Sequence, residues 1–560
     1  MCLLPRKPIA KHLVMCDPGT RTRIQSSCEQ VGQLTFRPLQ SVIQIGLWRT
    51  LGELCAMPKN IVIFSDGTGQ AGGINFDEAR TNVYKLYRAC RVGPDTKVEP
   101  SEQVAFYDAG LGSASDGGHF KIGWMRWLYN LASMATGLGI TRNIVDCYAA
   151  IIALYEEGDR VFLIGFSRGA YTVRSVAGVM TYCGIPRHMP DGSPLHRDPK
   201  SIHKLAEHAV KDVYQFCPSY SRKSLGYRQF LLETRDAIAA QFRQQYGSTT
   251  TINGAERANV FPYFVGVFDT VAALGHKYLG TALVTSGIAL LIGVHWLGGF
   301  LQPVFPWAGW GAWSLSYLGV AAALIAFLMN YLKIAPSLPG YGFLRRLRTV
   351  HFAPPKHKFY DTTLNPNVGY AKHAISIDEN RADFKRVGWS PTAEKQDVRD
   401  ALGNLYFEQV WFPGVHADVG GGYLENEARL SDVALNWLLA GASLIPGGLK
   451  HDSSVLRLSP DPAGPQHNEQ AGGFLKAGVR ELPIDPKTEE SRSPMHKSVY
   501  RRFEAGSVLL YDRIAAYRPD NMRVHVDFKH YFDGSAAQPP QCVADDIERK
   551  WENAGHVGRL

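Results

Sequence analysis

Short apolar runs recur along the chain, and each ends at a loop rich in glycine and polar residues. They cover residues 60–64, 104–107, 161–164, 263–268 and 410–412. The stretches between the first three runs carry apolar residues three and four positions apart, which is the spacing of one helix face. Strands that alternate with helices favour a mostly parallel sheet with right-handed crossovers. The pattern therefore predicts an α/β fold with helices on both faces of the sheet.

The middle of the chain differs from this pattern of short apolar runs, because residues 278–332 contain no Asp, Glu, Lys or Arg. Its two apolar runs, 279–301 and 309–332, are each long enough for a helix of about 30 Å, the thickness of a hydrocarbon core. Basic residues flank the pair on one side, namely Lys277, Lys333, Arg345, Arg346 and Arg348. We predict that a hydrophobic helical hairpin, embedded in a membrane as transmembrane helices or inserting into it on contact, interrupts the fold; a buried helical pair in a soluble protein is the alternative.

Composition narrows the class of protein. The chain has 560 residues, 45% hydrophobic and 20% charged, which is typical of folded proteins. Sixty basic and 51 acidic residues give a net charge of +9. This mild excess suits an anionic membrane surface, but no basic stripe with interleaved aromatics indicates nucleic-acid binding. Nine singly spaced cysteines favour a reducing compartment over a disulfide framework or a zinc ribbon. No secretory signal is predicted.

The segment Gly165-Phe166-Ser167-Arg168-Gly169 has the form G-x-S-x-G and lies between the apolar run 161–164 and a helical pattern at 170–179. A serine on a sharp turn from strand to helix has its hydroxyl pushed out at the carboxyl edge of the sheet. This is the nucleophile elbow of an α/β-hydrolase. We therefore predict that Ser167 is a nucleophile; an ordinary glycine-rich turn is the alternative.

A serine nucleophile requires a base and an acid that orients the base. In α/β-hydrolases the chain order is serine, acid, histidine. Asp269 follows the run 263–268, and His416 lies in the glycine-rich loop after 410–412. We predict Asp269 as the acid and His416 as the base, with Asp418 and Asp108 as alternatives for the acid.

The developing oxyanion requires backbone donors. We expect one from the N–H of Arg168 and a second from the loop Asp66-Gly67-Thr68, which follows the first strand. A purely structural turn explains that loop equally well. Asp66 and Asp418 together are weak support for a bound cation, so we predict neither a metal nor another cofactor.

Four motifs taken together resemble a known family. They are Phe64–Thr68, Gly165–Tyr171, Gly266–Val271 and Trp411–Tyr423. In this order they are similar to an α/β-hydrolase family, formerly of unknown function, that includes type VI secretion phospholipase effectors. The resemblance implies a lipase with Ser167, Asp269 and His416 in the matching positions, and lipid ester bonds as the substrate class.

The resemblance covers roughly 58–275 and 336–445, and it guides the division of the chain. We predict an N-terminal extension, a hydrolase core in two parts with a polar insertion in the first, the hydrophobic hairpin, and a loop-rich C-terminal region. The extension covers 1–57, and the first part of the core covers 58–275 with its insertion at 187–258. The hairpin covers 276–335, the second part of the core 336–445, and the C-terminal region 446–560.

These observations lead to one functional hypothesis, a serine hydrolase of the phospholipase A type that cleaves carboxylic ester bonds of membrane phospholipids. We expect a protein made in the bacterial cytoplasm, associated with membranes, and delivered to a target cell's periplasm if it is an effector. Expected partners are the phospholipid membrane and a secretion-apparatus or immunity protein, not nucleic acid. The alternatives are a resident membrane lipase, a membrane-anchored esterase or thioesterase with soluble substrates, and a non-catalytic binding protein on a hydrolase scaffold.

Overall fold

The chain divides into two compact units, residues 1–57 and 58–560. The predicted N-terminal extension lies outside the residues that the structure describes. The structure, a computed structural model, describes residues 58–67, 79–110, 138–218, 225–271, 277–353, 363–381, 384, 387–390, 395, 397–469 and 494–537.

A six-stranded sheet forms the centre of the second unit, in the order β10-β9-β6-β3-β1-β2. All of its neighbouring strands pair in parallel, which confirms the predicted α/β fold. The strands are β1 Asn60–Ser65, β2 Gln103–Asp108, β3 Arg160–Phe166, β6 Phe264–Phe268, β9 Tyr370–Ser376 and β10 Phe407–Phe412.

Strand β9 was not predicted from the apolar pattern. Lys372 and His373 interrupt its apolar run, yet both are completely buried. Lys372 forms an ion pair with Glu408, and His373 Nδ1 lies 3.0 Å from Gln409 Oε1, both on the neighbouring strand β10. Because an ion pair and a hydrogen bond to another strand compensate the burial of these side chains, no local pattern reveals the strand.

Helices cover both faces of the sheet. Those of the sheet-forming part are α1 Asn82–Cys90, α2 Leu138–Leu154, α3 Arg168–Cys183, α4 Pro199–Glu207, α5 Tyr227–Gln245, α9 His416–Gly420 and α10 Arg429–Ser443. Alternate residues of β1 enter different buried clusters. Ile61 and Ile63 join the cluster that contains α2 and α3, whereas Val62 and Phe64 join the one that contains α1 and α10. Such alternation is expected of a strand buried on both faces.

The polar region 187–258 contains α4, a π-helix at His208–Tyr214, α5, and the hairpin of β4 Thr249–Ile252 with β5 Ala255–Ala258. Its apolar residues Ile202, Val210 and Phe242 are buried in the same cluster as Val161 and Leu163 of β3. The region thus extends the core on one face of the sheet.

Residues 494–537 cover the β10 edge of the sheet. They contain α11 Lys497–Glu504, β11 Val508–Leu510, β12 Arg513–Ala515, a 3₁₀ turn at Asp520–Met522 and α12 His530–Asp533. Trp411 of β10 is buried in one cluster with Val499, Phe503 and Tyr517. Backbone hydrogen bonds join Trp411 N to Pro494 O (3.1 Å) and His496 N to Trp411 O (2.9 Å), so the edge strand is partly paired.

The charge-free region forms two helices, α6 Lys277–Leu301 and α7 Pro306–Tyr331. The short strands β7 Leu332–Lys333 and β8 His351–Phe352, with α8 Phe343–Leu347 between them, follow at the base of this hairpin. In the part of the chain that the structure describes, no helix combines the length and apolarity that crossing a membrane requires. The expectation of transmembrane helices is therefore not supported by the described residues.

The close approach of Gly169, at the start of α3, to strand β1 can be tested by substitution. A Cβ added to Gly169 would lie 2.0 Å from the backbone oxygen of Ser65, so Gly169→Ala forces β1 and α3 apart. Overpacking of this kind costs about 1–3 kcal/mol. We expect the apparent unfolding temperature of the variant, measured by scanning calorimetry, to fall by several degrees.

Gly506→Ala is the matched control, because an added Cβ there meets no atom within 4 Å. An equal shift in both variants would contradict the packing assigned to Gly169.

Candidate active site

Ser167 occupies a strained turn between β3 and α3. Its backbone has φ 57° and ψ −119°, in the left-handed half of the map that non-glycine residues seldom enter. The flanking glycines permit this turn. A Cβ on Gly165 would lie 2.6 Å from Gly169 O, and a Cβ on Gly169 would collide with β1. The strand, strained turn and helix have the geometry of the nucleophile elbow predicted from the sequence.

Asp269 and His416 meet at the carboxyl edge of the sheet. His416 Nδ1 lies 2.6 Å from Asp269 Oδ2, and both side chains are buried. A carboxylate only accepts hydrogen bonds, so Nδ1 is the donor, and in a neutral imidazole Nε2 then presents a lone pair. Nε2 is buried and has no hydrogen-bond partner among the described residues. The sequence therefore identified two side chains, 147 positions apart, that form a direct pair.

The carboxylate of Asp269 is fixed on a second side as well. Ser376, the last residue of β9, donates from N to Oδ1 and from Oγ to Oδ2, each over 3.2 Å. The backbone of Asp269 is itself unusual, with φ 30°. Ser376 was not identified from the sequence because β9 was not.

The position of Ser167 follows from topology. The successive strands β2 and β3 lie on opposite sides of β1. In a parallel sheet, a crevice opens at the carboxyl ends of the strands where the strand order reverses in this way. Ser167 directly follows β3, and the loop after β1 runs beside it. A Cβ added to Gly67 would lie 3.6 Å from Ser167 Cβ. The ring of Phe166 lies 4.6 Å from that of His416. Ser167, Asp269 and His416 thus share one edge of the sheet.

The alternative acids have other partners. Asp108 Oδ2 accepts from Ser65 Oγ (2.7 Å) and Asn143 Nδ2 (3.0 Å), and burial raises the pKa of Asp108 to about 7. Asp418 Oδ1 lies 2.7 Å from His467 Nδ1. Of the three aspartates, Asp269 is the one that contacts His416.

The loop expected to stabilise an oxyanion is tied to Asp66. Its carboxylate accepts from Gly67 N (2.7 Å), Thr81 Oγ1 (2.6 Å) and Tyr107 OH (2.7 Å). The Gly67 N–H therefore points at Asp66 in this conformation, and Thr68 lies outside the described residues. These contacts give Asp66 a structural role, that of holding the loop beside Ser167.

Arg168 is the first residue of α3. Backbone N–H groups in the first turn of a helix have no partner within the helix and favour negative charge. The Arg168 side chain is half-buried, and burial lowers the pKa of its guanidinium to about 10. Arg168 thus places a helix N-terminus and a cation beside the Ser167 turn.

Glu379 was not identified from the sequence, although it contacts His416. It is almost completely buried, and its Oε2 accepts from the backbone N–H of His416 over 2.9 Å. Its Oε1 lies 2.6 Å from Arg381 Nε. Burial raises the pKa of Glu379, but the hydrogen bond and charge of Arg381 outweigh it, so the pKa lies below its ordinary value. The carboxylate that holds the His416 backbone is therefore charged.

Arg381 connects this carboxylate to a distant loop. Its guanidinium lies 3.6 Å from the ring centre of Phe384, which in turn makes an edge contact with His416 at 5.2 Å. Arg381 also pairs with Glu469 at 3.1 Å, and Glu469 accepts a hydrogen bond from Tyr423 OH. A network of charged and aromatic side chains thus surrounds the His416 loop.

Asp418 and His467 form a second pair of carboxylate and imidazole. Asp418 Oδ2 accepts from Val415 N over 3.0 Å, which stabilises the first turn of α9. Burial lowers the pKa of His467, but the hydrogen bonds to Asp418 and Glu427 overcome that effect and raise it. The His467 ring stacks on Tyr423 at 3.5 Å. The pair fastens residue 467 to the helix that begins at His416.

No group of side chains in the described part of the chain could hold a metal ion. Asp66 and Asp418 were considered as cation ligands. In the structure each has partners of its own, Thr81 and Tyr107 for the first and Val415 and His467 for the second.

Comparison with known proteins gives the family. A family model described as "T6SS, Phospholipase effector Tle1-like, catalytic domain" matches residues 59–287 and 338–441, more than half of the chain. The chain belongs to this family, which confirms the resemblance found in the sequence.

A curated relative is "Uncharacterized protein YEL023C" of Saccharomyces cerevisiae, 24% identical over 450 residues. The match covers 72% of this chain and 60% of the yeast protein, so the chain spans less than two thirds of that relative.

Two solved structures have low similarity. "Crystal structure of an uncharacterized protein from Pseudomonas aeruginosa" has 15% identity and a TM-score of 0.31, covering 82% of this chain and 53% of the other. "Structure of the Tle1 effector bound to the VgrG spike from the Type 6 secretion system" has 15% identity and a TM-score of 0.24, covering 67% and 53%. Scores this low support no structural argument.

The pair of Asp418 and His467 predicts a pH dependence of stability. A histidine whose pKa is raised on folding contributes stability below its unfolded pKa of about 6.5 and loses it as the pH rises through the folded value. We expect the free energy of unfolding of the wild-type protein to exceed that of His467→Gln by the largest amount near pH 6. This difference should shrink toward pH 9. Urea titrations across that range measure it.

The exposed His196 provides the control, since His196→Gln is expected to leave the pH dependence unchanged. A difference between wild type and His467→Gln that is constant or grows with pH would refute the assignment.

Proposed function

We propose that this protein is a serine hydrolase that cleaves carboxylic ester bonds of phospholipids, with Ser167 as nucleophile, His416 as base and Asp269 as acid. The observation that carries the proposal is the buried hydrogen bond of 2.6 Å between His416 and Asp269, beside a strained serine turn. Membership of a phospholipase effector family supports the substrate class.

Each residue has a defined part in the mechanism. His416 Nε2, with its lone pair unoccupied, takes the proton of Ser167 as the oxygen attacks the ester carbonyl. The proton then passes to the leaving alcohol, and water hydrolyses the acyl-serine by the same route. Asp269 fixes the imidazole tautomer and stabilises the imidazolium.

The carbonyl oxygen becomes negatively charged in the transition state. The N–H of Arg168 at the start of α3 is the first donor in this proposal, aided by the helix dipole. A second donor from the loop of Gly67 requires that its N–H turn from Asp66 toward the substrate. The loop would then act as a substrate-responsive part of the site.

Exposed apolar side chains on the hairpin support work at a lipid surface. Trp296, Phe300 and Trp307 are each more than three quarters exposed. Large exposed apolar patches mark interaction sites, and tryptophan is enriched at membrane interfaces. We propose peripheral attachment to a membrane, and delivery by a type VI secretion apparatus in keeping with the family.

Replacing the nucleophile tests the enzyme directly. Ser167→Ala is expected to lower kcat toward a phospholipid substrate by a factor of about 10³ or more, since attack then depends on water. Labelling with a fluorophosphonate probe, followed by peptide mapping, should modify Ser167 in the wild-type protein and no residue in the variant.

Ser175 supplies a matched control on the same helix, because its buried hydroxyl has no hydrogen-bond partner in the structure. Ser175→Ala should retain labelling and activity. If Ser167→Ala keeps full turnover, the proposed mechanism is wrong.

We further propose that Glu379 is a positioning residue. It holds the backbone of His416, while Asp269 holds the side chain. Because Arg381 is also bonded to Glu379, loss of the carboxylate leaves a buried guanidinium partly unpaired. The His416 loop would then shift, and small errors in catalytic geometry are costly.

Glu379→Gln is therefore expected to lower kcat by about 10-fold to 100-fold with little change in KM. The rate of fluorophosphonate labelling should fall in parallel, which reports the reactivity of Ser167 in folded protein. Exposed Glu256→Gln is the control. A variant that melts earlier but labels at the wild-type rate would indicate that Glu379 serves stability alone.

A further inference from the structure

A surface patch lies at the base of the hairpin, apart from the residues of the candidate active site. We call it the collar and define it as β7, residues 341–352, which include α8 and β8, and residues 225–230 before and within α5. Strands β7 and β8 pair with each other, and Tyr227 OH donates to Val350 O over 3.0 Å. These contacts join segments more than 100 positions apart into one surface.

The collar exposes many large apolar side chains. Leu225, Phe343 and Leu344 are 86%, 75% and 80% exposed, and Tyr227, Leu347 and Phe352 are each more than two fifths exposed. Single exposed apolar residues are ordinary, but a cluster of this kind indicates a binding surface.

Arginines alternate with these apolar side chains. The guanidinium of Arg345 lies 4.2 Å from the ring centre of Tyr341, and that of Arg348 lies 5.4 Å from the ring centre of Phe230. Both arginines are exposed, and neither forms an ion pair with a carboxylate in the described part of the chain. Stacking on aromatic rings holds each cation in place without neutralising it.

We propose that the collar docks on a bilayer surface that contains anionic phospholipids. Guanidinium groups bind phosphate through paired hydrogen bonds, and the neighbouring apolar side chains enter the boundary between headgroups and acyl chains. A protein partner would require carboxylates to face the same arginines, whereas an anionic bilayer supplies both the phosphates and the apolar layer. The inference rests on the proposed function and narrows its substrate to lipids of anionic membranes.

The test is sedimentation of the full chain with vesicles, carried out in the Ser167→Ala background so that the lipids stay intact. The protein is expected to bind vesicles of phosphatidylcholine with phosphatidylglycerol more tightly than vesicles of phosphatidylcholine alone. The double variant Arg345→Gln/Arg348→Gln should weaken binding to the anionic vesicles by about tenfold or more and reduce its dependence on salt.

Two further variants separate the contributions. Phe343→Ser/Leu344→Ser should weaken binding to both kinds of vesicle by a factor that does not depend on salt. Arg501→Gln/Arg513→Gln removes two exposed arginines outside the collar and should bind as the parent does.

Unchanged binding of Arg345→Gln/Arg348→Gln to the anionic vesicles, or an equal loss in the Arg501→Gln/Arg513→Gln control, would overturn the proposal. Failure of the proposed function would appear in a different measurement: phospholipid hydrolysis would persist in Ser167→Ala, independently of how tightly the protein binds vesicles.

Discussion

The parallel register of β3, β6 and β9 is the constraint on which the candidate site depends. Ser167 N donates to Phe268 O over 3.2 Å, and Asp269 N donates to Ala374 O over 2.7 Å. These bonds continue the ladder by one residue beyond each strand, so Ser167, Asp269 and Ser376 stay at fixed positions relative to one another. A slip of one residue would turn every side chain at this edge to the other face.

The same edge concentrates buried charge, and each buried carboxylate has specific partners. Asp269 is held by His416 and Ser376, Glu379 by Arg381 and the His416 backbone, and Asp418 by His467 and Val415 N. Burying a carboxylate is unfavourable unless hydrogen bonds or opposite charge compensate it. The cost of desolvation thus makes the surroundings of His416 rigid, because every displaced partner leaves a charge unsatisfied.

A different principle governs the surface around the hairpin, where apolar side chains remain exposed and the exposed Arg345 and Arg348 form no ion pair with a carboxylate among the described residues. The inner strands of the sheet bury their apolar residues almost completely, whereas Trp296, Phe300 and Leu344 are left in contact with solvent. The molecule thus combines a sheet edge whose buried charges are paired with an exposed apolar and basic surface, and the proposed interfacial hydrolysis would use both.

The sequence by itself predicted the α/β fold and the family, and it proposed Ser167, Asp269 and His416 with two alternative acids, because strand ends, the G-x-S-x-G turn and the glycine-rich histidine loop are local features. It did not reveal Ser376, Glu379 or His467, since their importance lies in contacts across 37 to 107 positions. Strand β9 was hidden because side chains of β10 pair with its buried Lys372 and hydrogen-bond its buried His373. The apolar runs of 278–332 indicated helices, but local apolarity could not decide whether they span a membrane. Only tertiary structure decided which carboxylate meets His416, because burial and pairing depend on residues far apart in the chain.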